Sequence, residues 1–208
     1  MAEQIWTIVV GGGSGRRFGS AKQFELLGDR RVIDHSRDTA AAVSDGVVVV
    51  MSAENAEREG AVAGGETRND SVRAGLDAVP SDATIICVHD AARPLASADL
   101  YERVIAAVRA GAPAAIPGIP VSDTVKVVAS GIVTATLDRD SLVAVQTPQA
   151  FRADVLRAAH ADHGGSTDDA ALVEALGLPV VVVAGETTNR KITVPDDLEW
   201  ARAQVAIR

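Results

Sequence analysis

The chain is poor in cysteine and aromatic residues and has no long apolar run. Cys87 is the only cysteine, so no disulfide and no cysteine-based zinc site can form within one chain. It stands inside an apolar run, where a buried, inert thiol is expected rather than a nucleophile. No apolar stretch approaches the roughly 20 residues that span a bilayer, and the first residues lack a basic segment followed by an apolar one. A cytoplasmic protein with no membrane partner is therefore expected. Positive charge is also scarce, since 20 Lys and Arg against 28 Asp and Glu give a formal net charge of -8. That balance argues against a nucleic-acid partner. It still allows an anionic small molecule, because a local cationic pocket outweighs a distant negative surface screened over about 8 Å. Two phosphate-binding strings are missing as well. No Gly-Lys-Ser/Thr follows four spacer residues, and the dinucleotide fingerprint fails because Arg16 stands five residues after Gly11 and Phe18 five after Gly13.

What is present suits a soluble globular protein: 47% hydrophobic and 23% charged residues in a chain of 208, expected to fold as a single domain spanning residues 1–208. The stretch from Val10 to Gln23 stands out. It follows the β-branched run Ile5 to Val10, read as a buried strand, so it is a loop leaving that strand's carboxyl end. Gly11, Gly12, Gly13 and Gly15 have no Cβ, which lets their backbone N–H groups approach a phosphate. Arg16, Arg17 and Lys22 add positive charge just beyond them. A plain turn has no need of those cations, and the combination reads as a cradle for a triphosphate.

Further along, Val32 to Val43 has helical periodicity and Val47 to Met51 reads as a buried strand. Asn69 or Asp70 is expected to cap a helix carrying Val72, Leu76 and Val79 on one face. Thr84 to Val88 reads as a strand, Ser97 as the cap of the next helix, and Ala112 to Ile119 as a strand again. Strands alternating with helices predict an α/β fold, a Rossmann-like doubly wound, mainly parallel sheet. The pattern breaks where Thr124 to Val128 and Ile132 to Leu137 flank Ala-Ser-Gly without a helix, which is a hairpin signal. A β-ribbon with no core of its own is expected to pack on a second subunit, as an inserted dimerisation arm at about 121–140. Beyond it come a helix from Ala153, a helix capped by Ser166 or Thr167 and ended by Gly177, and a core strand from Val180 to Ala184. A loop, a short strand and a closing helix around Trp200 complete the chain.

Ligands of open α/β sheets bind beyond the carboxyl ends of the strands. Three polar clusters fall there: Arg16, Arg17 and Lys22; His89, Asp90 and Arg93; and Asn189 with Lys191. Asp90 faces a loop suited to phosphates, where Mg²⁺ is usually held by one or two carboxylates plus phosphate oxygens. His89 reads as structural, because nothing pairs it with a nucleophile.

These strings, in order, resemble one family. G-G-G-S-G-R-R-F with Lys22, G-G-x-x-R-x-x-S-V from Gly64, H-D-A-A-R-P, D-T-V-K, D-R with T-P-Q-x-F, T-D-D-A and N-R-K-I-T are similar to the cytidylyltransferases that make 4-diphosphocytidyl-2-C-methyl-D-erythritol in the non-mevalonate isoprenoid pathway. The resemblance implies a homodimer that joins CTP to 2-C-methyl-D-erythritol 4-phosphate and releases pyrophosphate. It implies that Arg17 and Lys22 bind the triphosphate, that Gly11 and Gly12 with Gly65, Glu66 and Ser71 hold the cytidine, and that Asp90 binds Mg²⁺ in a loop shaped by Arg93. It gives Lys191 the reacting α-phosphate, Thr124 and Arg139 of the partner the sugar phosphate with help from Thr167, and Thr147 a place lining the pocket. Two departures point to a polyol phosphate of another kind. Val10-Gly11-Gly12-Gly13 replaces the family's Pro-Ala-Ala-Gly, and Thr188 replaces an acidic residue, as in the related ribitol 5-phosphate cytidylyltransferases. H-D-A-A-R-P and T-D-D-A favour methylerythritol phosphate. A dinucleotide-dependent oxidoreductase lacks its fingerprint here, and a non-catalytic nucleotide sensor would need neither Asp90 nor Lys191.

Overall fold

Apolar, β-branched runs build the centre of the molecule. A computed structural model describes residues 3–13, 18–161 and 168–206. The strands are β1 (Ile5–Val10), β2 (Leu26–Leu27), β3 (Arg30–Arg31), β4 (Gly46–Met51), β5 (Val62–Ala63), β6 (Ile85–Asp90), β7 (Ala114–Pro120), β8 (Lys126–Ala129), β9 (Ile132–Thr136), β10 (Val143–Val145), β11 (Gln149–Arg152) and β12 (Val180–Ala184). The helices are α1 (Val32–Val43), α2 (Ala53–Glu59), α3 (Arg68–Ala78), α4 (Ala98–Arg109), α5 (Ala153–Ala161), α6 (Asp169–Ala175) and α7 (Pro195–Ala206).

The main sheet runs β12, β7, then β10 and β11 along the other edge of β7, then β6, β1, β4 and β5. β1 lies parallel to both β4 and β6, and β7 parallel to β12. Side chains of a strand alternate between faces, and both faces here are apolar. Ile8, Ile86 and Val88 pack with Val72 and Leu76 of α3, Leu156 of α5 and Leu172 of α6. Val9, Ile85 and Cys87 pack on the opposite side with Ile33 of α1 and Leu100, Tyr101 and Ile105 of α4. The chain is thus an α/β, doubly wound, mainly parallel sheet, and β1 and β6 end side by side, with Val10 in register with Asp90.

Several local expectations change. β11 runs antiparallel between β6 and β7, a strand that the sequence pattern did not mark and that fits the expected mainly parallel sheet. β12 is an edge strand, with Val181 40% and Val182 50% exposed, instead of a core strand. Thr67, two residues before Asn69 and three before Asp70, caps α3: its hydroxyl accepts from the Asp70 N–H at 3.1 Å, and the Asp70 carboxylate accepts from the Thr67 N–H at 3.0 Å, a reciprocal capping box. Asp168 caps α6 by accepting from the Ala171 N–H at 3.0 Å; the expected caps Ser166 and Thr167 lie outside the described residues. No strand forms ahead of α7, and the unanticipated β2–β3 ribbon packs Leu27 with Ile192 and Leu198 instead. Ser97 caps α4 and Gly177 follows α6 at φ 73°, as expected.

The hairpin is present as β8 and β9, closed by Ser130 and Gly131 at φ 50° and 79°. Positive φ at both central residues fits the right-handed twist of a two-residue hairpin. Every residue of both strands is exposed. Among the described residues no helix is long and apolar enough to cross a membrane.

Candidate functional site

A cavity of about 600 Å³ opens where β1 and β6 end. The first loop lines it with Gly11, Gly12 and Gly13, followed by Lys22 on a short 3₁₀ turn. The approach to α3 contributes Gly65, Glu66 and Ser71; the end of β6 contributes Asp90; the loop before α7 contributes Lys191. Nine of the expected site residues therefore share one cavity. None of the three glycines of the first loop lies in the left-handed region, so their value is close approach. A Cβ on Gly11 would press on Ile33 at 3.3 Å, whereas one on Gly13 would meet nothing within 4 Å. The Gly11 N–H is not available to a phosphate, because it donates to the Val50 carbonyl at 2.7 Å.

Asp90 is the electrostatic centre of the cavity. Its Oδ2 accepts from Lys191 Nζ at 2.6 Å, and its Oδ1 lies 3.5 Å from Arg68 Nε. Burial alone would raise its pKa, but Lys191 and then Arg68 override that and hold the carboxyl well below the usual carboxylate range. Asp90 is thus an anion at any working pH.

The backbone around it is fixed from behind. The Asp90 N–H donates to Thr147 Oγ1 at 3.0 Å, and that hydroxyl lies 3.1 Å from His89 Nδ1. The other ring nitrogen, His89 Nε2, is 3.2 Å from the Arg93 carbonyl. A carbonyl only accepts, so Nε2 carries the proton, Nδ1 is bare, and Thr147 donates to it. Burial pushes the fully enclosed His89 down to about 4, which keeps it neutral and structural, as expected. Thr147 is 5% exposed and does not line the cavity; its hydroxyl is occupied within this chain, which corrects its expected place. Arg93 likewise stands behind the cavity, donating to the carbonyls of Asn189 at 2.9 Å and Val145 at 3.3 Å.

A second clamp sets Lys191. Gln146 Nε2 donates to the Glu186 and Asn189 carbonyls at 2.8 and 3.1 Å, and the Asn189 side chain donates to the Thr147 carbonyl at 2.8 Å. The Ile192 N–H donates to the Ala92 carbonyl at 2.8 Å, tying the lysine's loop to the loop after β6. Phe24 ends the same 3₁₀ turn as Lys22, and its ring lies under the Arg58 guanidinium at 4.8 Å and the Arg31 guanidinium at 5.7 Å.

Thr124 and Arg139 are not brought to this cavity by their own chain. Both are exposed, and Arg139 donates to the Ser122 carbonyl at 2.7 Å. Gly15, Arg16, Arg17 and Thr167 lie outside the described residues. Arg68 was not anticipated as a site residue. It lines the cavity and bridges Asp90 to Asp169, whose Oδ2 is 2.7 Å from Arg68 NH1. Its only advance signal was its place in the string from Gly64 to Val72.

Which residues could hold a divalent cation follows from the donors present. Among the described residues no three His, Cys, Asp or Glu side chains cluster as a metal site. An ionised, cavity-facing Asp90 does suit a cation that brings its remaining oxygen ligands with a bound nucleotide.

Comparison with known proteins adds to this geometry. Residues 5–207 match the profile described as IspD: 2-C-methyl-D-erythritol 4-phosphate cytidylyltransferase. A 2-C-methyl-D-erythritol 4-phosphate cytidylyltransferase of Nocardia farcinica is 47% identical over 95% of this chain and 92% of its own. A bifunctional enzyme IspD/IspF of Solidesulfovibrio magneticus is 44% identical over 93% of the chain, which spans 55% of that protein. The chain is thus about half the length of the bifunctional relatives it matches. Among solved structures, the 4-diphosphocytidyl-2C-methyl-D-erythritol synthase of Anaerococcus prevotii superposes with a TM-score of 0.85 at 30% identity, covering 98% of this chain and 99% of that one. The 2-C-methyl-D-erythritol 4-phosphate cytidylyltransferase of Thermus thermophilus does so at 0.82 with 34% identity, covering 96% and 98%.

Proposed function

The chain belongs to the 2-C-methyl-D-erythritol 4-phosphate cytidylyltransferase family, and we propose from that membership that it joins CTP to 2-C-methyl-D-erythritol 4-phosphate. The products are 4-diphosphocytidyl-2-C-methyl-D-erythritol and pyrophosphate. The observation that carries the reading at the site is that Lys191 and Arg68 meet Asp90 in one cavity at the ends of β1 and β6, which Lys22 also lines. An oxygen of the acceptor's phosphate attacks the α-phosphorus of CTP, a P–O–P bond forms, and the α–β bond breaks. Both reactants are anions, so catalysis is positioning plus a supply of cations, with little need of a general base. Lys22 and Arg17 take the triphosphate. Lys191, held in reach by Asp90, takes the α-phosphate when that anion competes for it. Gly65, Glu66 and Ser71 take the cytidine, with Gly12 closing on it. Asp90 with the nucleotide's own phosphates would hold Mg²⁺, which when bound supplies charge neutralisation to the leaving pyrophosphate.

The whole chain works as one nucleotidyltransferase domain in the cytoplasm, as a homodimer. Val128, Ile132 and Val133 of the hairpin are 57%, 69% and 55% exposed, a stretch of apolar surface that a second copy would cover. Thr124 and Arg139, which flank the hairpin and do not line their own chain's cavity, would then reach the acceptor phosphate of the partner's site, a role shared with Thr167. Pyrophosphate release, followed with CTP and either methylerythritol phosphate or ribitol 5-phosphate, tests the reading. Methylerythritol phosphate is expected to win by a factor of about a hundred or more in kcat/KM, since polar sites built for one set of hydroxyls reject another strongly. Preference for ribitol 5-phosphate would overturn the assignment and give weight to Gly11, Gly12 and Thr188.

A further inference from the structure

A line of charge runs from the cavity into the second layer of helices. Lys191 Nζ lies 2.6 Å from Asp90 Oδ2, Asp90 Oδ1 3.5 Å from Arg68 Nε, Arg68 NH1 2.7 Å from Asp169 Oδ2, and Asp169 Oδ1 3.0 Å from His160 Nε2. Arg68 opens α3, Asp169 opens α6, and His160 stands in the last turn of α5, so α3 and α6 meet at the guanidinium and α5 joins them through Asp169. Asp169 is 0% and His160 3% exposed, and neither lines the cavity. Arg68 is the only member that touches both regions.

Stability does not explain this arrangement. A buried ion pair contributes little net stability, and apolar side chains of similar volume would serve the packing of α5 on α6 as well or better. Geometry suggests another reason. Arg68 sits closer to Asp169 than to Asp90, so the buried carboxylate draws the guanidinium back from the one that faces the ligand. Without Asp169 the nearest anion left to Arg68 is Asp90, which Lys191 already neutralises. The guanidinium would then close on Asp90, and three groups that must each be set toward a ligand would collapse on one another. A bidentate planar fork suits this task, since two of its edges can be fixed at once.

We propose that Asp169 and His160 are positioning residues for cytidylyl transfer, acting through Arg68 on Asp90 and Lys191. The proposal rests on the reading of the cavity as the CTP site. His160 donates from Nε2 to Asp169 and sets which oxygen is left for Arg68.

The test uses the full-length protein and two readouts. The first is the Arg68 Nε–H signal in ¹⁵N-edited NMR, identified by its loss in Arg68→Lys. Asp169→Asn should shift that signal and speed its exchange with water. The second is turnover at saturating CTP and methylerythritol phosphate. Asp169→Asn should lower kcat about tenfold to a hundredfold, as sub-ångström to ångström displacement of catalytic groups does, while KM for CTP changes less than threefold. In an Arg68→Gln background the same substitution should cost nothing further, because its route has been removed. His160→Gln can present an amide N–H in place of Nε2–H and should keep near-parental kcat, whereas His160→Leu should fall with Asp169→Asn. That pair decides the matter if Asp169→Asn fails to fold. An unmoved Arg68 signal, unchanged kcat in both Asp169→Asn and His160→Leu, or equal losses with and without Arg68 would each overturn the proposal. If the parent transfers nothing to methylerythritol phosphate, the functional reading fails, and the NMR arm still decides whether Asp169 and His160 set Arg68.

Discussion

Replacing Thr147 by valine keeps the outline of the side chain and removes one oxygen. That oxygen accepts the Asp90 N–H at 3.0 Å and donates to His89 Nδ1 at 3.1 Å, in a place where Thr147 is 5% and His89 0% exposed. The substitution leaves a buried N–H and a buried ring nitrogen without partners. Each such loss costs about 1–3 kcal/mol, so roughly 2–5 kcal/mol of stability should go together. For a chain of 208 residues that corresponds to a fall in Tm of about 4–20 °C, at about 2–4 °C per kcal/mol. Thr147→Ser keeps the hydroxyl and loses one methyl, and should cost only about 1 kcal/mol. Urea unfolding followed by the fluorescence of Trp6 and Trp200 gives both values, with an unchanged m-value showing that only stability moved. Activity should fall in the valine variant alone, because the Asp90 amide is what that hydroxyl holds. Valine and serine variants agreeing within about 0.5 kcal/mol would refute the chain of hydrogen bonds from Asp90 through Thr147 to His89.

Five other outcomes are expected. His89 is held near 4 against an ordinary 6.5, so between those values the unfolded chain binds a proton that the folded one refuses; stability is full above pH 6.5 and falls by roughly 3 kcal/mol toward pH 4, a loss that His89→Gln should remove from urea titrations. Asp90 is shifted the same way from its own reference of 3.8, so the stability it adds is present above that pH and fades only in stronger acid. Lys22→Ala should lower turnover about a hundredfold with its circular dichroism unchanged, and a folded variant with near-normal turnover would remove Lys22 from the transition state. Asp90→Asn should lose most activity together with its response to Mg²⁺, checked by titrating the metal against pyrophosphate release; a parental response would mean that the cation has another ligand. Mixed, unfolded and reassembled chains of Lys22→Ala and Arg139→Ala should recover roughly a quarter of parental activity, since about half the dimers are hybrid and each hybrid has one intact site. No recovery with hybrids present would put Arg139 in its own chain's site.

The parts of the fold that were legible are those with a local cause. The β-branched runs gave β1 and β4, helical periodicity gave α1 from Val32 to Val43, and Ser97 announced the start of α4. The paired turn residues Ser130 and Gly131 announced the hairpin. The cavity was legible because glycines and cations gather after strand ends, which brought Gly11, Gly12, Gly13, Lys22, Asp90 and Lys191 to one place. What escaped has long-range causes. β11 is only four residues long and directly follows Pro148, with no alternation to mark it, and its place between β6 and β7 is set by pairing across the sheet. β12 has the same valine run as a buried strand, and only the topology leaves one side of it open. Arg68 and Asp169 are far apart in the chain, so nothing local couples them. Thr147 was given a place lining the pocket by resemblance, while its hydroxyl serves the backbone of Asp90.

The central claim is that bond making occurs at the α-phosphorus of CTP, and the position of a radiolabel tests it most directly. CTP labelled at the α-phosphate or at the γ-phosphate is incubated with the protein, Mg²⁺ and 2-C-methyl-D-erythritol 4-phosphate, and the products are separated. The account predicts that α-label appears in a cytidine-containing diphosphate diester with the polyol and that γ-label appears only in pyrophosphate. Transfer of γ-label to the polyol, or α-label recovered as CMP with no diester formed, would contradict it.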